Sequence, residues 1–200
     1  MKGKFIVIYG INNIGKTTQA KLLTSQLKKK GIKAEYIKYP IYAEEPAGKL
    51  IDEYLRKGNP HDFSPREFQM LHFIDRMKFE PNLKEKLSKG INIIAEDYFG
   101  TAVAWGLATG VEEKLLNYLY EFILKEDLAI LLDGKIFKRN IEKNNKHEIN
   151  KKLAIRARKA HLSVAKKYGW KKINANGSRE GVNNVVSRRV FAALGVKNDK

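Results

Sequence analysis

One short stretch near the start of the chain decides the fold. An apolar run, F-I-V-I-Y from Phe5 to Tyr9, leads directly into a loop and then into a segment with helical periodicity. The loop matches the pattern G-x-x-x-x-G-K-[ST], in which backbone N–H groups and a helix N-terminus converge on phosphate oxygens. We therefore predict that the loop binds the phosphates of ATP; the alternative is an ordinary strand-to-helix turn with an incidental lysine. The residues concerned are Gly10, Ile11, Asn12, Asn13, Ile14, Gly15, Lys16, Thr17 and Thr18.

The end of this loop carries the residue types that phosphate chemistry needs. Lys16 is expected to be exposed to the phosphates rather than buried, and the Thr17 hydroxyl is expected to ligate Mg²⁺. Glu96 and Asp97 end a later apolar strand, at the edge where open α/β sheets bind ligands. Glu96 is the candidate to hold the metal through water, unless it is simply a solvated strand end. Asp133 ends another strand, and we interpret it as a turn residue.

Apolar runs alternate with longer segments of helical periodicity along the chain. This pattern predicts an α/β fold, a doubly wound sheet of about five parallel strands with helices on both faces and a small basic lid. The clearest helix start is Ser64-Pro65-Arg66-Glu67, a capping box with proline at the first helical position. That helix is expected to continue to about Ser88, with an interruption or kink at Pro81. The predicted strands are 5–9, 34–38, 91–95, 128–132 and 170–174.

Composition limits the class of protein. With 200 residues, of which 43% are hydrophobic, the chain suits one domain, 1–200, with a lid segment at about 135–150. It has no cysteine, which excludes disulfides and thiolate metal sites. No apolar stretch is long enough for a signal peptide or a membrane span, so we expect a cytoplasmic protein without membrane contact. The net charge of +17 reflects either the binding of phosphate groups or only the background composition of the chain. No motif for specific nucleic-acid binding accompanies it.

Over nearly its whole length the sequence resembles the thymidylate kinase family of P-loop nucleoside monophosphate kinases. The resemblance begins with F-I-V-I-Y-G-x-x-x-x-G-K-T-T-Q, which ends at Gln19. Phe73-Ile74-Asp75-Arg76 resembles the segment in which that family stacks an aromatic ring on thymine and places an arginine against the base; without the resemblance, Phe73 is interpreted as a core residue. Glu96-Asp97-Tyr98 resembles its D-R-[YFH] motif. Thr101 and Ala104-Trp105 follow at the spacing of the family residues that line the monophosphate pocket. The segment 135–148 resembles the basic lid of the family. Asn174-Ala175-Asn176-Gly177 resembles the family's loop that borders adenine.

This resemblance implies phosphoryl transfer from ATP to a nucleoside monophosphate, with dTMP as the expected acceptor, and it implies homodimers. The catalytic residues it implies are Lys16, Glu96 and Arg139, with Lys143 and Lys146 behind Arg139 in the lid. Mg²⁺ would be held by Thr17 and Glu96. The substrate-binding residues it implies are Phe73, Arg76, Tyr98, Thr101 and Trp105.

Three positions depart from the family pattern, and they leave the acceptor open. Asn12 stands where the family usually has an acidic residue, and Asp97 stands where it has an arginine. The loop from Pro40 to Pro46 lacks the arginine expected near the acceptor phosphate. One alternative is therefore a kinase for another pyrimidine nucleotide or a deoxynucleoside. The other is a catalytically weak nucleotide-binding protein.

Overall fold

The centre of the molecule is one parallel sheet. The computed structural model describes residues 2–135 and 150–196. Five strands lie in the order β2-β3-β1-β4-β5, and each neighbouring pair is parallel. This arrangement confirms the predicted α/β fold class. The strands are β1 (Phe5–Tyr9), β2 (Ala34–Lys38), β3 (Asn92–Glu96), β4 (Leu128–Asp133) and β5 (Lys171–Asn174).

Helices cover both faces of this sheet. Because side chains alternate along a strand, β1 sends Phe5, Val7 and Tyr9 into one core and Ile6 and Ile8 into another. The helices are α1 (Lys16–Lys29), α2 (Ala47–Arg56), α3 (Pro65–Ser88), α4 (Phe99–Ala108), α5 (Glu113–Glu121), α6 (Lys151–Lys167) and α7 (Arg179–Leu194). The first core is closed mainly by α3, α4 and α6, and the second by α1 and α7.

Helix α3 begins as the sequence predicts. The Ser64 hydroxyl accepts a hydrogen bond from the Glu67 N–H, and the Glu67 carboxylate accepts one from the Ser64 N–H, which completes the capping box. The helix then continues without a break to Ser88, so the interruption predicted at Pro81 is wrong. Pro81 lies on the exposed side of the helix, where water can bind the carbonyl that loses its N–H partner.

The carboxyl edge of the sheet brings the predicted site residues together. β1 ends directly before the glycine-rich loop, and its neighbour β3 ends at Glu96, so the loop and this carboxylate meet at one edge. In the described residues, no helix is both long and apolar enough to cross a membrane. The predicted lid, with Arg139, Lys143 and Lys146, lies outside the described residues.

Candidate active site

The loop after β1 adopts a conformation that needs its glycines. Gly10 has φ 149°, and a Cβ at this position would lie 2.7 Å from the carbonyl oxygen of Leu132. Gly15 has φ 97° and precedes the first residue of α1. Asn13, with φ 61°, is in the left-handed region that asparagine tolerates better than most residues. The backbone therefore curls tightly in front of a helix N-terminus, which is a site prepared for an anion.

Lys16 lies beneath this loop and is only 5% exposed. Its ammonium donates hydrogen bonds to the carbonyl oxygens of Gly10 (2.9 Å) and Ile11 (3.1 Å). The expectation that Lys16 is exposed is therefore wrong for this structure. The reason is that the curled loop directs two carbonyl groups inward, and the lysine is the cation that satisfies them. Residues Asn12 to Thr18 line the cleft, whereas Gly10 and Ile11 contribute through these carbonyl groups.

Glu96 is the point where several polar groups of the site converge. Its carboxylate accepts hydrogen bonds from Thr17 Oγ1 (2.9 Å) and Tyr36 Oη (2.5 Å), and Lys38 Nζ lies 3.4 Å away. Burial acts to raise the pKa of Glu96, but the ammonium groups of Lys16 and Lys38 hold it below its ordinary value. Glu96 is therefore a carboxylate, placed where its oxygens and the Thr17 hydroxyl face the phosphate loop.

Asp97 is held just beyond β3 in an unusual conformation. Its φ of 59° is in the left-handed region, and its carboxylate accepts a hydrogen bond from Thr101 Oγ1 (2.6 Å). Burial raises the pKa of this carboxyl, Lys16 opposes that effect, and Glu96 adds to it. The side chain points toward the phosphate loop, because its Oδ2 lies 3.5 Å from Lys16 Nζ.

A cleft of about 620 Å³ extends from the phosphate loop in two directions. One arm passes between the loop after β5 and the start of α7, and is lined by Ala175, Gly177, Arg179 and Val182. The other arm passes under α2 and between α3 and α4. Its lining includes Lys38, Tyr39, Tyr42, Leu55, Arg56, His72, Arg76, Thr101 and Trp105. We call the first the donor arm and the second the acceptor arm.

The structure places only some of the predicted substrate-binding residues in this cleft. Arg76, Thr101 and Trp105 line the acceptor arm. Phe73 does not: it packs against the core, with its ring 6.1 Å from that of Phe99. Tyr98 is fully buried between other aromatic rings, with the Phe5 ring at 4.9 Å. The predicted substrate-binding roles of Phe73 and Tyr98 are therefore both corrected. For Tyr98, the reason is that the left-handed turn at Asp97 directs its side chain back into the core.

The cleft residues that escaped the sequence analysis include Lys38, Arg56 and His72. His72 has a signal that could have found it, because it lies four residues before Arg76 and therefore on the same helical face. Its Nδ1 is 2.8 Å from Arg76 Nη1, and its ring meets that of Phe68 edge-on. Lys38 and Arg56 have no comparable signal, since their places depend on how β2 and α2 pack.

Comparison with known proteins agrees with this geometry. The family model described as thymidylate kinase matches residues 8–186. The chain belongs to the thymidylate kinase family. It is 32% identical over 193 residues to "Probable thymidylate kinase" of Thermococcus onnurineus strain NA1, covering 90% of this chain and 93% of that one. It is 30% identical over 129 residues to human "Thymidylate kinase", covering 64% and 57% of the two chains.

The fold is also that of a solved thymidylate kinase. The structure of the Candida albicans thymidylate kinase superposes with a TM-score of 0.83 at 20% identity, over 100% of this chain and 96% of that one. The predicted family is thus confirmed for a chain that differs from its pattern at Asn12 and Asp97.

Proposed function

We propose that this protein is a cytoplasmic enzyme that transfers the γ-phosphoryl group of ATP to dTMP, giving dTDP. One observation carries the proposal: the phosphate loop, with Lys16 and Thr17, faces Glu96 at the junction of two arms of one cleft. Each arm can take one nucleotide, so the two phosphate groups meet beside the phosphate loop. Phosphoryl transfer needs this in-line approach and charge neutralisation more than it needs covalent chemistry from the protein.

On the donor side, the loop N–H groups and Lys16 bind the phosphates of ATP. Lys16 is held by two carbonyl groups and Asp97, so its position is fixed before the nucleotide arrives. Once the nucleotide phosphates share or replace one of these contacts, the ammonium stabilises the charge that develops on the transferring group. The donor arm then receives the adenosine against Ala175, Gly177 and Val182.

The site also suits Mg²⁺. Thr17 and Glu96 present a hydroxyl and a carboxylate 2.9 Å apart, and hard oxygen ligands of this kind are those that Mg²⁺ prefers. Among the described residues, no group of three or more His, Cys, Asp or Glu forms a metal site. This agrees with a metal whose remaining ligands are nucleotide phosphates and water. When bound, Mg²⁺ would neutralise phosphate charge, with Thr17 and Glu96 holding it.

On the acceptor side, the arm between α3 and α4 receives the base. His72, Arg76 and Trp105 line it, and none of them is more than 8% exposed. Their rings and the planar guanidinium form a pocket that suits a flat heterocycle. No general base is required, because the attacking atom is already a phosphate oxygen. Closure over the phosphates by Arg139 remains a prediction.

The experiment is an ATP-consumption assay against every common nucleoside monophosphate and against the deoxynucleosides. We expect dTMP to give the highest kcat/KM and purine monophosphates to give the lowest. A higher value for another pyrimidine nucleotide or for a deoxynucleoside would change the acceptor but keep the kinase assignment. ATP binding without turnover of any acceptor would contradict the enzyme and favour a nucleotide-binding protein.

We further propose that the protein is a homodimer. Met70, Ile74 and Met77 form an apolar stripe along α3, and their exposed fractions are 38%, 44% and 47%. Residues with this spacing lie on one helical face, where a second copy could cover them. Sedimentation of the Ile74→Lys variant should show a shift to monomer, whereas Tyr118→Lys, at an exposed aromatic residue on α5, should not change the mass. A monomeric wild-type protein would contradict the proposal.

A further inference from the structure

We propose that Asp75 on α3 is a positioning residue for the acceptor nucleotide, because its carboxylate fixes both Arg76 and the loop from Pro40 to Pro46. The inference rests on the proposed function, since it assumes that the acceptor arm receives the nucleoside part of a monophosphate. Asp75 is not part of the cleft lining, so it acts through the groups that it holds there.

Asp75 forms a buried ion pair with the residue that follows it. The exposed fractions of Asp75 and Arg76 are 0% and 1%, and Asp75 Oδ2 lies 3.0 Å from Arg76 Nη1. The same nitrogen also donates to the carbonyl oxygen of His72 (3.2 Å), one turn earlier on α3. Apolar residues of similar volume often stabilise a protein as well as a buried ion pair does, so stability alone does not explain this pair. It does fix the guanidinium of Arg76 in one orientation in the acceptor arm.

The other oxygen of Asp75 holds the loop that follows β2. The N–H of Tyr39 still donates to the last residue of β3, and Pro40 has no N–H. The next donor along the chain is the N–H of Ile41, which donates to Asp75 Oδ1 (2.9 Å). The loop then closes on itself, since the N–H of Glu44 donates to the carbonyl oxygen of Ile41 (2.8 Å). Ile41 is thus a point at which α3 fixes this loop.

The two contacts of Asp75 lie directly behind two residues of the acceptor arm. Ile41 precedes Tyr42 and Asp75 precedes Arg76, and both Tyr42 and Arg76 line the arm. One carboxylate therefore sets the position of the loop relative to the guanidinium. Groups that are already ordered bind a ligand more tightly, because their ordering does not oppose binding.

The test is Asp75→Asn, which keeps the volume and can still accept from Ile41 but removes the charge beside Arg76. Calorimetric titration gives the Kd of dTMP, of thymidine and of ATP, each added alone. We expect the Kd values of dTMP and thymidine to rise together by about tenfold, the lower end of the range for a lost hydrogen bond to a charged group. The Kd of ATP should stay constant, because the donor arm does not contact this pair.

Asp75→Glu is the second variant, in case Asp75→Asn does not fold. It keeps the charge that the buried Arg76 needs. Its carboxylate lies one methylene further from the backbone, so it cannot meet both partners in their present places. The Kd values of dTMP and thymidine should again rise together, but by a smaller factor than in Asp75→Asn.

Glu80→Gln is the matched control on the same helix. Glu80 also accepts a backbone N–H from another segment, that of Leu124 (2.8 Å), and also pairs with a cation, that of Lys84 (2.6 Å). These three residues are not part of the cleft lining, so the Kd of dTMP should not change in this variant. A rise as large as that in Asp75→Asn would overturn the inference, because any loosening of α3 would then suffice.

The remaining outcomes separate a positioning role from other roles. An unchanged Kd of dTMP in a folded Asp75 variant would overturn the inference, because Asp75 would then serve the fold alone. Equal weakening of ATP would overturn it as a general loosening of the site. Weaker dTMP with unchanged thymidine would also overturn it, because the phosphate alone would then lose a contact. Failure of the proposed function looks different: the wild-type protein would bind neither dTMP nor thymidine.

Discussion

The ammonium of Lys16 and the carboxylate of Asp97 lie 3.5 Å apart, and both side chains are nearly buried, at 5% and 13% exposure. The lysine of the phosphate loop thus has a counterion within the protein. The family pattern has an arginine at the position of Asp97, so a cation is replaced by an anion that faces the same loop. ATP phosphates must therefore share Lys16 with Asp97 or displace it.

We expect Asp97→Asn to bind ATP more tightly. A unit charge at about 5 Å from a phosphate charge costs about 3 kcal/mol at an effective dielectric near 20, and Lys16 already offsets part of that. The expected gain is therefore roughly tenfold in the Kd of ATP, or about 1.4 kcal/mol. Asparagine suits this test because it tolerates the left-handed backbone and can still accept the hydrogen bond from Thr101. Equilibrium titration with ATP at fixed magnesium measures the change.

Asp133→Asn is the control for the Asp97 prediction. Asp133 also ends a strand at this edge of the sheet, but it pairs with Arg158 and does not line the cleft, so the Kd of ATP should stay constant. Weaker ATP binding by Asp97→Asn would contradict the repulsion argument and show that this carboxylate assists the nucleotide. Asp97→Arg, with the family's cation, should raise kcat/KM for dTMP if the acceptor site is retained.

We expect Lys16→Ala to abolish transfer while the protein stays folded. Losing a preorganised donor beside the transferring group costs roughly 10²- to 10³-fold in kcat. The fold should survive, because the Lys16 side chain lines the cleft, and its removal leaves a space in which water can bind the carbonyl groups of Gly10 and Ile11. Steady-state kinetics and circular dichroism measure the two effects, with Lys29→Ala at the exposed end of α1 as the control. Retention of most of the wild-type rate would contradict the role of the loop.

The sequence predicts the fold well because the central strands β1, β3 and β4 are buried on both faces. A strand such as β1 then appears as an uninterrupted apolar run, and the predicted range 5–9 is the observed one. β3 is displaced by one residue, from 91–95 to Asn92–Glu96. The apolar run stops before Glu96, whereas backbone pairing with Ile8 carries the strand through it. Side-chain pattern alone does not contain that information.

The candidate site is predicted only where it follows local rules. The phosphate loop and Glu96 follow from the strand that precedes each of them. The acceptor arm depends instead on how α2 and α3 pack, which brings Arg56 and His72 into one cleft from positions 16 residues apart. Phe73 is predicted to bind the base but packs in the core. The sequence does not distinguish these two roles, because an aromatic residue in such a segment is suited to either.

His72 and Phe73 make this distinction testable. His72→Ala should raise the KM for dTMP, since a ring stacked on a base contributes about 1–3 kcal/mol, with little effect on the KM for ATP. Phe73→Ala should instead lower the free energy of unfolding by about 2 kcal/mol, because its half-buried ring leaves a cavity beside Phe99. Kinetics and urea unfolding of both variants separate the effects. A raised KM for dTMP in Phe73→Ala, at wild-type stability, would contradict this assignment and indicate that Phe73 contacts the base of dTMP.

A buried histidine gives the fold a dependence on pH. His161 on α6 is 1% exposed, its Nδ1 lies 2.8 Å from the carbonyl oxygen of Ala157, and its ring meets Trp105 edge-on. Burial lowers the pKa of His161 to about 4, the hydrogen bond to Ala157 opposes that shift, and Lys16 adds to it. The folded protein therefore keeps this ring neutral at pH values where the unfolded chain protonates it.

We expect the free energy of unfolding to fall by about 2 kcal/mol between pH 7 and pH 4.5 on account of His161 alone. The unfolded chain takes up a proton as the pH falls through about 6.5, whereas the folded protein does so only near pH 4, and one pKa unit corresponds to about 1.4 kcal/mol. Urea unfolding across this range should show a flatter pH dependence for His161→Leu than for the wild type. Val164→Ala, another buried substitution on α6, should lower stability equally at both pH values, because it removes no titrating group. Parallel curves for the wild type and His161→Leu would contradict this prediction, because they would mean that the folded protein protonates His161 at the same pH as the unfolded chain.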